Sequence, residues 1–131
     1  MEFQLKNNES YIKFFLVNFF DDTKDYEFCV DVKCGSMSVL NKSVYANKKE
    51  LDLFYNGLKQ IYSDLHGELK TNFEYDTDII VKIECTRSGH LRIVCDVHDG
   101  PTFGNKLHIE FETDQTYIKE TLDEIKEILS K

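Results

Sequence analysis

The stretch from Val81 to Val97 constrains the fold more than any other. Val81, Ile83 and Cys85 alternate with Lys82, Glu84 and Thr86; after Ser88-Gly89-His90, the apolar Leu91, Ile93, Cys95 and Val97 alternate with Arg92, Val94, Asp96 and His98. A period of two is a half-buried β-strand, and two such runs joined by a glycine turn are an antiparallel hairpin. Side chains change face at every residue, so a slip of one position would turn a whole apolar row to solvent. Odd positions must therefore pair with odd ones. That requirement favours a three-residue loop near Gly89 and sets Cys85 and Cys95 out of direct opposition, so no disulfide is expected between them.

The same period recurs along the chain. EFQLK reads as a short first strand, and YEFCVDVKC places Phe28, Val30 and Val32 on one face with Asp31 and Lys33 on the other. SMSVLNKSVYA continues as a strand broken or bulged at NKS, GELKTNFEY as another, and Leu107, Ile109 and Phe111 alternate with His108, Glu110 and Glu112 in a last one. SYIKFFLVNF differs, being apolar on both alternating faces. Such a strand is either covered on both sides or turns its outer face to something else.

Two segments change to the helical period. Asn47 is an N-cap with Glu50 placed to complete a capping box, and Leu51, Phe54, Leu58, Ile61 and Leu65 form one stripe, with His66 at the helix C-terminus and Gly67 as its ending residue. The second helix opens near Asp114 and buries Ile118, Leu122, Ile125 and Leu129. The expected architecture is α+β: one antiparallel sheet of about six to eight strands, with helices at about 47–66 and 114–130 packed on one face. One proline, Pro101, and no linker or internal repeat mark the 131 residues as a single domain.

Charge narrows the function. The net charge is −8, with only two arginines, Arg87 and Arg92, against 24 acids. Nucleic-acid binding requires a basic footprint, so it is not expected. The longest apolar run, Phe14 to Phe20, is too short to span a bilayer, and the N-terminus lacks a signal-peptide pattern, which makes the expected location the cytoplasm. Cys29, Cys34, Cys85 and Cys95 form no C-x-x-C pair and read as reduced, strand-borne thiols.

Two constellations carry possible chemistry. IVCDVHDGPTFGNKLHI gathers Asp96, His98, Asp99 and His108, residue types that bind metals or move protons. Adjacent strand residues point to opposite faces, however, and Asp99-Gly100, Pro101 and Gly104-Asn105 are turn signals, so a hairpin loop accounts for the same residues. The second constellation is acidic. Asp21, Asp22 and Asp25 beside Phe19, Phe20 and Tyr26, together with Glu74, Asp76 and Asp78, read either as solvated loops or as a docking surface whose acids steer a basic partner while an aromatic ring anchors it. G-x-S-x-G, Walker, H-E-x-x-H and G-x-G-x-x-G motifs are all missing.

The run ELDLFYNGLKQIYSDLHGEL, followed by paired strands and then by GNKLHIEF and TDQTYIKETLDEIKEIL, resembles the WapI-type immunity proteins of bacterial polymorphic toxin systems. The resemblance spans Val32 to Leu129. It implies an α+β fold and non-enzymatic inhibition of a cognate toxin domain by binding, with no cofactor; the short apolar runs add the expectation of no membrane partner. Under it Asp99, Gly104, Asn105, Asp114, Gln115 and Tyr117 are loop and helix-entry residues. A metal-binding or hydrolytic domain using Asp96, His98, Asp99 and His108 stays open beside it, as does a structural homo-oligomer pairing through an edge strand; the chain is expected to be a monomer or a homodimer.

Overall fold

The computed structural model describes residues 1–71, 73, 78–87, 89–98 and 104–131. Its strands are β1 (Glu2–Lys6), β2 (Tyr11–Phe20), β3 (Asp25–Cys34), β4 (Met37–Asn47), β5 (Glu68–Lys70), β6 (Ile79–Arg87), β7 (His90–His98) and β8 (Lys106–Asp114). The helices are α1 (Lys48–Asp64) and α2 (Gln115–Leu129). The class and the strand number are as expected, but the strands divide into two antiparallel sheets, β1-β2-β3-β4 and β5-β6-β7-β8. The division falls at α1, which carries the chain from the last strand of one sheet to the first of the other. The element order ββββα thus occurs twice, without any repeat in the sequence to announce it.

Register follows the parity argument along the strands: Val81 pairs with Cys95, Ile83 with Ile93 and Cys85 with Leu91. The expected three-residue loop is replaced by a tighter closure, Arg87 opposite His90, with parity restored by a register shift between Cys85 and Arg87. In the first sheet β4 slips against β3 between Val30 and Val32, where Asn41 takes a left-handed conformation at the expected interruption. β2 carries a bulge of its own between Leu16 and Asn18, which exchanges the faces of its last residues.

One cluster of buried residues draws on both sheets and both helices. At its centre Phe3 and Phe14 stack at 4.6 Å, and Phe28 stands edge-on to both at 5.7 and 5.8 Å. The free edge of β1 is covered by α2: the Gln4 N–H donates to Glu124 Oε1 (3.2 Å), and the Thr121 hydroxyl donates to the Gln4 carbonyl (2.6 Å). A covered edge cannot template pairing with another chain.

The capping box of α1 forms as read, with Asn47 Oδ1 accepting from the Glu50 N–H (2.8 Å) and Glu50 Oε1 accepting from the Asn47 N–H (2.9 Å). The far end differs. The helix stops at Asp64, and the residue that caps it in a left-handed conformation is Leu65 at φ 54°, two residues before Gly67, which itself has φ 107°. Gly67 is already committed to the next strand, since its carbonyl accepts from the Cys85 N–H (3.0 Å), so the reversal has to come earlier. His66 is an exposed residue of this connection and not a member of the last helical turn. Gly57 lets α1 approach β5 closely: a Cβ there would lie 2.6 Å from Leu69 Cδ1.

Candidate partner-binding surface

The sheets present two very different outer faces. On the second sheet, Asp96 is paired with His108 across β7 and β8. His108 Nδ1 donates to Asp96 Oδ1 at 2.5 Å and Nε2 to Glu110 Oε1 at 3.1 Å. Glu110 also accepts from Arg92 Nη2 (2.5 Å), and Arg92 Nη1 reaches Glu84 Oε1 (2.7 Å). Lys82 lies between Glu84 (3.7 Å) and Glu68 (3.6 Å), and Lys106 lies 3.7 Å from Asp96. The face is therefore an unbroken chain of alternating sign from Lys106 to Glu68.

Those contacts answer the question raised by Asp96, His98, Asp99 and His108. The hydrogen bond to Asp96, reinforced by that to Glu110, holds His108 protonated to higher pH than a free imidazole. An imidazole donating from both nitrogens has no lone pair to offer a metal. Among the described residues no three His, Cys, Asp or Glu side chains are arranged to hold a metal ion. His98 lies two residues along β7 from Asp96 and borders a groove of about 300 Å³ floored by Val39, Val97 and Leu107. The lysines on that rim are engaged, Lys42 with Asp78 (3.1 Å) and Lys106 with Asp96. Asp99 lies outside the described residues.

The network makes stability pH-dependent with a definite sign. Because the folded pKa of His108 is raised, its contribution is complete below the ordinary imidazole value and is lost as pH rises through the raised one. The hydrogen bond from His108, with a second from Arg92, lowers the pKa of Glu110; that from Arg92 lowers Glu84. Those contributions are present above the ordinary carboxylate range and disappear as pH falls through the lowered values. His108→Gln is expected to be less stable than the parent chain at about pH 5.5 and equal to it at about pH 8.5, read by urea denaturation at both. A difference that persists unchanged at the higher pH would contradict this assignment.

The acidic candidates separate. Asp21 and Asp22 are exposed in the β2–β3 turn, and Asp25 is half-buried at the start of β3. Lys24 closes the turn in a left-handed conformation, donates its N–H to the Phe20 carbonyl (2.8 Å) and holds Asp21 at 3.5 Å. Asp78 is not with them. Its carboxylate pairs with Lys42 on β4 and its carbonyl accepts from the His98 N–H (2.7 Å), which makes it a tie between the two sheets. Glu74 and Asp76 lie outside the described residues.

Tyr26 requires a correction as a surface anchor, because its ring is in the core at 0 % exposure. It shares the even-numbered inward face of Phe28, Val30 and Val32, and it packs 5.1 Å from Phe19 and 5.9 Å from Phe28. Its hydroxyl is buried without a hydrogen-bond partner among the described residues, and burial pushes its pKa up, with Asp52 adding to the effect. An unsatisfied buried hydroxyl costs about 1–3 kcal/mol. Tyr26→Phe should therefore be at least as stable as the parent by thermal unfolding, and a loss above about 1 kcal/mol would reveal a bond to that hydroxyl.

Phe20, one of the rings expected beside the acids, is exposed (43 %), and with it are residues that sequence reasoning passed over: Phe15 (49 %), Val17 (50 %) and Tyr45 (42 %), on the outer face of the first sheet. Register places three of them in neighbouring rows, Phe15 opposite Cys29, Tyr45 opposite Glu27 and Phe20 opposite Asp25, with Val17 at the bulge between Leu16 and Asn18. The signal was the two-sided apolar pattern of β2.

Among the described residues, fold and surface define an eight-stranded, two-helix α+β protein with a network of ion pairs on the outer face of one sheet and exposed apolar side chains on that of the other. The chain belongs to the WapI-like immunity protein family, whose model matches residues 3–131. Membership supports an immunity function and implies a toxin as partner in general. No curated protein matches. Among solved structures, WHY1 from Arabidopsis thaliana is similar over 98 % of this chain and 88 % of its own, with a TM-score of 0.55 at 9 % identity, a likeness of fold alone. No helix of the described residues is long and apolar enough to cross a membrane.

Proposed function

We propose that residues 1–131 act as one non-enzymatic domain that binds a cognate toxin domain and neutralises it in the cytoplasm, one to one and without a cofactor. The observation that carries this reading is the family match over nearly the whole chain. The shared core of both sheets and both helices supports treating it as one unit. The exposed carboxylates of Asp21 and Asp22, with Asp25 beside them, support a surface that steers a basic toxin, because exposed charges of one sign raise the rate of encounter.

The test is to express a toxin domain encoded beside the gene, alone and together with this chain. Growth rescue together with co-elution as a one-to-one complex is the expected result. Rescue without co-elution would point to a catalytic mode of protection and overturn the binding mechanism. Neither rescue nor co-elution would overturn the pairing with that toxin.

A further inference from the structure

The two sheets of this chain serve as controls for each other. Each has four antiparallel strands with one face in the common core. The outer face of the second sheet meets water in the ordinary way, with cross-strand ion pairs at Asp96–His108 and Glu84–Arg92. The outer face of the first sheet carries Phe15, Val17, Phe20 and Tyr45 instead. Single exposed apolar residues are normal on any protein. Phe15, Phe20 and Tyr45 in three neighbouring rows of one sheet face, with Val17 exposed at the bulge between them, form a patch of the kind that marks an interaction site.

The charge around the patch states what it would receive. Glu27 stands among the rings, accepting from the Asn18 side chain (2.8 Å) and the Tyr45 hydroxyl (3.1 Å), and Asp21, Asp22 and Asp25 close one end. Of the nearby cations, Lys13 lies 3.8 Å from Glu2 and Lys24 lies 3.5 Å from Asp21, while Lys48 and Lys49 line a groove with Asp25 at the acidic end, so the carboxylate that stands inside the patch itself is that of Glu27. An apolar centre with an acidic border is complementary to an apolar centre with a basic one.

We infer that the outer face of the first sheet is the anchoring surface, and that its occupant is an element of the toxin domain presenting an aliphatic or aromatic side chain flanked by lysine or arginine. The inference rests on the immunity reading and goes further by naming the face and the chemistry it receives. Phe15 and Val17 fill the centre of the contact, and the acids around them set orientation and rate.

The experiment compares three chains against the purified toxin domain by calorimetry: the parent, Phe15→Lys, and Val94→Lys on the outer face of the second sheet. Phe15→Lys removes an anchor and adds a charge of the toxin's own sign, so a loss of affinity of roughly 100-fold is expected, with Val94→Lys within about threefold of the parent. Equal binding by all three, or a loss confined to Val94→Lys, overturns this inference and leaves the immunity reading intact. No binding by the parent overturns the reading and the inference with it. Should either variant fail to fold, amide exchange on the parent complex decides the matter. New protection over Phe15–Phe20 and Tyr45 supports the face, and protection elsewhere alone overturns it.

Discussion

Phe28→Ala is expected to destabilise the chain by about 4 kcal/mol, the largest loss of any single truncation discussed for this fold. Phe28 is 1 % exposed and stands edge-on to both members of the Phe3–Phe14 stack, with interplanar angles of 86° and 89°. Those three rings come from β3, β1 and β2, so one side chain ties three strands of the first sheet together at their inner face. Its removal forfeits the transfer energy of a buried phenyl ring, two favourable aromatic contacts and the packing around the resulting cavity. With a denaturant slope of about 2 kcal/mol/M, the urea midpoint should fall by about 2 M with the slope unchanged. Phe15→Ala on the same sheet is the control, because a half-exposed ring gives up much of that burial before any mutation is made; its cost should remain below about 1 kcal/mol. A Phe28→Ala loss under about 1 kcal/mol would mean that the aromatic cluster does not hold the sheet.

The elements legible in the sequence were those fixed by one local rule. The capping box at Asn47 and Glu50 is set by two side chains three residues apart, and the β6–β7 pairing by parity alone. What escaped depended on partners distant in the chain. The end of α1 was misplaced because Gly67 had been claimed by β6, through a hydrogen bond to Cys85 that no helix rule contains. The separation into two sheets could not be read from alternation, which states which face of a strand is buried and not which strand lies beside it. Tyr26 was within reach: its even number placed it with Phe28, and the adjoining acids drew attention to it instead. The ion-pair chain was also implicit, since odd-to-odd register sets Glu84 opposite Arg92, but its extension through Glu110 to His108 needed the β7–β8 register as well.

The acidic turn should act on association rate far more than on stability. Replacing Asp21, Asp22 and Asp25 by Asn removes three negative charges from one end of the first sheet without emptying any buried space, since the first two are exposed and the third is half-buried. At low ionic strength the on-rate for a basic toxin domain is expected to fall by roughly tenfold or more, with the off-rate changed by less than about threefold. Near 0.1 M salt the screening length is about 10 Å, and at 1 M it is about 3 Å, so the difference between variant and parent should close as salt is added. Stopped-flow association over a salt series measures both effects. Asp78→Asn distinguishes steering from a general loss of acid: its carboxylate is neutralised by Lys42 at 3.1 Å at the junction of the sheets, so removing it should lower stability and leave the on-rate near that of the parent. If the triple variant associates at the parent rate in low salt, the turn is only a solvated loop, and any steering must come from the other acids of a chain carrying a net charge of −8.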